Sequence, residues 1–258
     1  TLTMQTRGPL SHYYKAHADP GAVNDNFAFA MGHVERPVGS RFPHVVIDLL
    51  KMWKPIDFPD GIVDYPMVTD DLWDVIERFS PDELTFDQFQ SVMMIATLNQ
   101  RMTAEPRPKQ TLIFEKPATR PLNWKRAELF KSALNLGLIH IPMLGRDGEV
   151  DPAGEMAELE LRFLELRNGR VDHPTSGPIQ HNDLSDCLFE VVWALIGEEL
   201  LEMLESPVMS QVSGMGAGGV EPPLPKTPQS DPMQALANAN RGAMTQRGMG
   251  SARGMRRR

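Results

Sequence analysis

Three separated stretches of this chain carry carboxylates that could act together. They are His17-Ala18-Asp19-Pro20-Gly21, ahead of an apolar run; Leu84-Thr85-Phe86-Asp87, closing another; and His181-Asn182-Asp183-Leu184-Ser185-Asp186, opening a helix-like segment. Carboxylates gathered from such places would hold hard divalent cations, which prefer oxygen ligands. A pair of such ions can drive in-line cleavage of a phosphodiester. Taken singly, each acid has a simpler role. Asp19 fits a turn before Pro20-Gly21, and Asp25 is an equally placed loop acid. Asp87 fits the N-cap of a following helix, although the carboxyl ends of parallel strands are also where α/β sheets build their sites. One of Asp183 and Asp186 fits a cap or a first-turn partner of the helix dipole, and Asn182 could take the cap itself. Asp82 and Glu83 read as surface charge, and His173 and His181 as structural or solvent-facing residues.

No other chemistry competes. The chain lacks a GxxxxGK[ST] phosphate loop, a GxGxxG turn following a strand and a GxSxG elbow. Its single cysteine, Cys187, lies in an apolar helical segment and reads as packed. One cysteine excludes an internal disulfide framework, which fits a reducing setting.

Alternating strands and helices must position these acids. Residues 26–35 and 44–53 read as strands joined by a turn at Pro37-Val38-Gly39-Ser40, which makes a hairpin. Thr69 is expected to cap a helix whose Leu72, Trp73, Ile76 and Phe79 share one face, ended by Ser80-Pro81-Asp82. Residues 83–86 then read as a buried strand. Residues 88–102 read as a helix with a stripe of Val92, Ile95, Ala96 and Asn99. A strand over 111–115, a helix over 124–136 closed near Gly137, and a short strand over 138–141 repeat the alternation. Residues 155–166 read as helical, turning extended near Glu165, and Asn168-Gly169 marks a hairpin. Residues 184–204 read as a long helix packed on the sheet. The pattern predicts an α/β domain with a mixed sheet, largely parallel at its centre.

The 258 residues fit one large domain or two small ones. We expect a lead-in over residues 1–15, a domain over 16–205 and a disordered Gly/Pro/Met/Arg-rich tail over 206–258, with a short helix possible at 233–240. The chain opens on Thr1, as a fragment or a processed product would. No secretory signal and no apolar run of membrane-spanning length is present. The net charge of −8 divides unevenly. Residues 206–258 carry seven Lys and Arg against Glu221 and Asp231, or +5, which leaves −13 on the body.

The order and surroundings of the acidic stretches resemble the nuclease domain of the tailed-bacteriophage terminase large subunit. The resemblance runs through HADPGAVNDNFAFAMGHVE, LTFDQFQSVMMIATL, EKPATRPLNWKRAELFKSALNLGLIHIP and ELRFLELRNGRVDHPTSGPIQHNDLSDCLFEVVWAL, covering residues 16–196. It implies a ribonuclease H-like fold: a mixed central sheet flanked by helices. It also implies a metal-dependent endonuclease that cuts concatemeric double-stranded viral DNA during genome packaging in the host cytoplasm. On this resemblance Asp19, Asp87 and Asp183 match the metal-binding acids, with Asp186 the alternative third position and Asp19 the bridging ligand. The cofactors implied are two divalent cations, Mg²⁺ or Mn²⁺. The partners implied are DNA, a terminase ATPase motor domain, the small terminase subunit and the portal, with no membrane. The family's N-terminal motor is absent from this sequence, so it is expected to be excised or separately encoded. Two other readings remain at this point: a ribonuclease H-like enzyme of the resolvase or integrase type, and a non-enzymatic packaging adaptor whose acids are helix caps.

The charge division yields a prediction. Removing residues 206–258 will leave folding intact, because that stretch lacks the apolar periodicity of a core segment. Affinity for duplex DNA will fall, and its log–log salt slope will become shallower by about 0.9 for each phosphate that the shortened chain no longer neutralises. Binding of full-length and truncated chains across a salt series checks this. Identical affinities and slopes would assign the tail to a protein partner such as the portal or the small subunit.

Overall fold

The computed structural model describes residues 2–23, 25–87, 91–105, 107–116, 119–145, 147–167, 170–174, 176, 179 and 181–205. The expected tail over 206–258 and its short helix lie outside the described residues, as do the Asn168-Gly169 turn and residues 88–90. The strands are β1 (Tyr14–Asp19), β2 (Phe27–Glu35), β3 (His44–Trp53), β4 (Glu83–Phe86), β5 (Leu112–Glu115), β6 (Ile139–His140), β7 (Glu165–Arg167) and β8 (Arg170–Asp172). The helices are α1 (Tyr65–Phe79), α2 (Val92–Ala104), α3 (Arg120–Asn135), α4 (Pro152–Phe163) and α5 (Asp183–Glu205).

Six strands form one mixed sheet in the order β5-β4-β1-β2-β3-β6, and β7 and β8 form a separate antiparallel pair. The middle of the sheet is not parallel, as the alternation of elements suggested. β1, β2 and β3 pair antiparallel, while β4 and β5 on one side and β6 on the other join in parallel. The short β2–β3 connection produces this, since a tight hairpin turn joins antiparallel neighbours, whereas parallel neighbours need a crossover.

The largest departure from expectation is β1. The segment read as lead-in already belongs to the sheet by Tyr14 and Lys15. Its sequence, YKAHAD, alternates apolar and polar residues over a short run whose apolar members are mostly alanine, and the polar side chains are themselves buried there with partners. Lys15 and His17 are 6% exposed. Lys15 forms an ion pair with Glu83, and His17 Nδ1 lies 2.8 Å from Thr85 Oγ1. Both partners stand on β4, so this polar pairing knits the β1–β4 junction.

Two helix boundaries also differ. α1 begins at Tyr65, and its cap is Asp64, whose side chain accepts the Met67 amide at 3.1 Å. Thr69 lies inside the helix, where its hydroxyl donates to the Tyr65 carbonyl at 2.7 Å. The helix stops at Ser80, whose φ of 46° places it in the left-handed region. α2 starts at Val92 after Ser91, so Asp87 is not its N-cap. Its core stripe is Met94, Leu98 and Met102, and Val92 is 63% exposed. The expected stripe was one position out of phase on the helical wheel; Asn99 contributes instead by donating its side-chain amide to the Ile113 carbonyl of β5.

The helices cover the sheet from both faces. On one, Phe27 meets Tyr65 of α1 edge-on, and Tyr14 meets Phe79 in the same manner. On the other, α5 runs across β1 and β2 and is flanked by α3 and α4. The β1–β2 register sets His17 opposite Ala30 and Asp19 opposite Ala28. Directly opposed residues share a face of the sheet. Two fully buried alanines thus lie beside His17 and Asp19 under α5, and their small size lets that helix approach the strand carrying Asp19.

The two phases of α2 give different stabilities. Leu98→Ala will cost about 2–5 kcal/mol, because the side chain is fully buried. Val92→Ala will change stability by less than about 0.5 kcal/mol. Urea unfolding followed by circular dichroism distinguishes them, and equal losses would contradict the observed phase.

Candidate active site

The sheet lines up its acids at one edge. The Asp87 amide donates to the Ala18 carbonyl at 3.1 Å, continuing the β1–β4 pairing by one residue and setting Asp87 beside Asp19. The Lys116 amide donates in the same way to the Phe86 carbonyl at 2.9 Å. Asp19, Asp87 and Lys116 therefore form a row across the carboxyl ends of three parallel-paired strands, where open α/β sheets place their sites.

α5 brings the remaining acids to this row, and other groups hold its first turn. The Ser185 amide donates to Glu160 Oε2 of α4 at 2.8 Å, so a carboxylate from another helix satisfies an orphan donor there. The Asn182 carbonyl accepts the Asp186 amide at 2.9 Å, as the residue before a helix does. The Asn182 side chain bridges outward: its amide donates to Asp186 Oδ2 at 2.7 Å, and its carbonyl oxygen lies 3.1 Å from His173 Nδ1. Asp183 Oδ2 accepts the Asn26 amide at 3.1 Å, which ties the start of α5 to the β1–β2 connection. The helix start is thus held from several sides: Glu160 takes the Ser185 amide, and Asp183 and Asp186 bond to Asn26 and Asn182.

The electrostatics record the crowding. Asp19 retains partial solvent contact, but protein surrounds it closely. Burial raises its pKa well above the carboxylate range, and the charges of Asp183, Asp186, Asp87 and Asp25 raise it further. Asp183 is pushed to about 6, first by burial, against the opposing pull of His181. Glu160, 1% exposed, is pushed to about 8 by burial, with Asp183 and Asp186 adding to the shift. His17 is held neutral, with its pKa lowered to about 3 by burial.

One cleft is lined by His17, Asp19, Asp87, Lys116, Asn123, Arg126, Asp186, Phe189 and Glu190. Of the sequence-derived candidates, Asp19, Asp87 and Asp186 line this cleft, and Asp183 sits beside it on the Asn26 amide. Among the described residues no three His, Cys, Asp or Glu side chains close into a ligating group. The donor set nonetheless suits a hard cation: carboxylate oxygens from three segments, mutually repelling at one edge. Sequence reasoning missed Glu160, Arg126 and Glu190, each inside a regular helix, and gave no role to His17, although it stands two residues before Asp19.

No family model and no curated protein matches this chain. Solved structures do. The chain matches the large terminase of bacteriophage HK97 with a TM-score of 0.52 and 13% identity, over 74% of this chain and 41% of that one. It matches the large terminase nuclease of thermophilic phage G20c with a TM-score of 0.49 and 13% identity, over 73% of this chain and 84% of that one. A magnesium-bound structure of the same G20c nuclease gives a TM-score of 0.49 and 13% identity, over 72% and 82% of the two chains. The fold is therefore the ribonuclease H-like mixed α/β fold, in the form found in a bacteriophage large terminase. The chain spans about two fifths of the length of the HK97 protein. Among the described residues no helix is long and apolar enough to cross a membrane.

The raised carboxylate pKa values have a signed consequence. The folded state holds protons on Asp183 and Glu160 that the unfolded chain releases near pH 4 to 4.5, so their contribution to stability is present below that range and is lost as pH rises through about 6 and about 8. In chelator, the thermal midpoint of the parent will fall between pH 5 and pH 8 more steeply than that of Asp19→Asn, which removes the shared repulsion. At pH 8 the Asn variant will melt roughly 2–8 °C higher, about 1–2 kcal/mol for a domain of this size. A parent that gains stability over the same range, in step with the variant, would contradict this assignment of the repulsion.

Proposed function

We propose that this chain is a metal-dependent DNA endonuclease acting by phosphodiester hydrolysis on concatemeric double-stranded viral DNA during genome packaging. The observation that carries the reading is the convergence of Asp19, Asp87, Asp183 and Asp186 at the carboxyl ends of β1 and β4 and the start of α5. The fold shared with a phage large terminase supports the setting, which is the host cytoplasm. The ATPase motor, the small subunit and the portal are the partners that setting supplies. The domain responsible runs over residues 16–205, extended at its start by the first residues of β1, with the basic tail over 206–258 as an accessory.

Two Mg²⁺ or Mn²⁺ ions bound at the acids would supply an activated water and charge stabilisation on the leaving 3′ oxygen. Asp19 suits the bridging role, because it stands on the central strand with acids on both sides. Asp87 secures the β4 side. Asp183 secures the α5 side, and Asp186 adds an oxygen from the next turn on the cleft wall. His17 stays neutral at working pH and keeps its bond to Thr85, so it orders the floor beneath Asp19 without adding charge. Contacts to DNA fall mainly on phosphates, which carry no sequence information directly.

Single changes of Asp19, Asp87 or Asp183 to Ala will each lower metal-dependent nicking of plasmid DNA by at least about a hundredfold, or roughly 2.7 kcal/mol of barrier, with the fold retained by circular dichroism. Cutting will need no ATP and will show little sequence preference. An Asp87→Ala chain as active as the parent would refute the site. An inactive Asp186→Ala chain beside an active Asp183→Ala chain would move the third ligand by one turn.

A further inference from the structure

Lys116 closes the row of strand ends, next to Asp87. Its Nζ lies 2.5 Å from Glu190 Oε1 of α5, and the other Glu190 oxygen pairs with Arg126 of α3. Arg126 and Glu190 are buried, with side chains 5% and 3% exposed, whereas the Lys116 side chain is 29% exposed. The Asn123 side-chain oxygen accepts from Arg126 Nη1 at 3.3 Å, and Arg126 Nε is buried without a hydrogen-bond partner among the described residues. All four residues line the same cleft as Asp19, Asp87 and Asp186. A carboxylate shared between one buried and one accessible cation is an unusual arrangement. If the Lys116 ammonium moves away, Glu190 keeps its partner in Arg126, and no buried charge is left alone, which is the step that makes breaking buried ion pairs costly.

A cleft lined by acids repels the phosphates it must receive, so a cation is needed on its wall. We propose that Lys116 is a phosphate-positioning residue: its ammonium exchanges Glu190 for a backbone phosphate of nucleic acid entering the cleft, and the Glu190–Arg126 pair is the fixed seat to which it returns. The nature of the ligand as a nucleic-acid phosphate rests on the nuclease reading above. A lysine suits the task, because a compact charge on a flexible stem can swing between two anions. Lys116 also borders a second groove, lined by Lys15 as well as Glu83, Glu198, Glu199 and Glu202. In the first cleft it stands next to Asp87, so a phosphate held there lies beside the acids.

The test measures binding separately from cleavage. Anisotropy of a fluorescent DNA duplex is followed across a salt series with Asp19→Asn chains, alone and combined with Lys116→Gln, Lys116→Arg or Glu190→Gln, each checked for folding by thermal melting. Lys116→Gln will weaken binding about tenfold and reduce the log–log salt slope by about 0.9, the amount that one neutralised phosphate supplies. Lys116→Arg will bind within about twofold of its parent, because charge and reach are kept. Glu190→Gln will bind more tightly, because the competing carboxylate is gone; if that variant does not fold, the two Lys116 variants decide. Unchanged affinity and slope in Lys116→Gln, or a Lys116→Arg chain as weak as the Gln chain, would overturn the proposal. Failure of the nuclease reading looks different. A chain with intact Asp19 that binds duplex in a Lys116-dependent way but never cuts plasmid keeps the phosphate seat and loses the enzyme. A chain that cuts with Lys116→Gln binding unchanged does the reverse.

Discussion

Like charge held at close quarters is the constraint around which this molecule is arranged. Asp19 stands at the end of the central strand and feels four other carboxylates, and its own burial already disfavours ionisation. Separated by solvent, these acids would cost nothing. Together they raise the pKa values of Asp19 and Asp183, and the packing of β1, β4 and α5 must overcome the repulsion. Such an arrangement persists in a stable fold only if the rest of the structure holds it in place, and it is the environment that a hard cation would relieve.

The docking of α5 is what overcomes the repulsion. Ala28 and Ala30 give the helix a flat bed beside Asp19, and Leu184, Leu188, Val192 and Ile196 are almost wholly excluded from solvent. Glu160 then takes the Ser185 amide. That bond links two parts of the structure: α4 supplies an acceptor for an amide in the first turn of α5. The Asn26 amide on Asp183 closes the loop between the helix and the strand connection. A site built from three distant segments is thus held by a few bonds between elements that are themselves rigid.

Other residues of the cleft compensate in charge. His17 is neutral, Arg126 neutralises Glu190, and Lys116 leaves one positive charge at the mouth. Burying an ion pair is seldom a source of stability in itself. Its value here is positional: the pair sets where an accessible ammonium sits relative to a row of acids. Positive and negative charge thus stand at neighbouring positions of one cleft.

Much of this was legible in the chain before folding. The hairpin of β2 and β3, the strand at Glu83–Phe86, the long last helix and the acids at their ends follow from short-range pattern: alternation, turn residues and apolar runs. β3, β4 and the hairpin position of β7 and β8 were read from sequence as observed, because apolar runs and the Asn-Gly turn signal are local. β1 was not legible, since Lys15 and His17 are buried through partners on β4 that lie 68 residues away, and local pattern carries no trace of such pairing. The same holds for the phase of α2, where the neighbouring strand decided which side is buried. Glu160, Arg126 and Glu190 carry no local sign of burial in the sequence, and tertiary packing alone turned them inward, Arg126 and Glu190 to each other and Glu160 to Ser185. The sequence by itself therefore determined which acids stand at element ends, because turns and caps are local. Only the tertiary structure decided which of those acids meet and what neutralises the charges around them, because repulsion and ion pairing depend on distance through space.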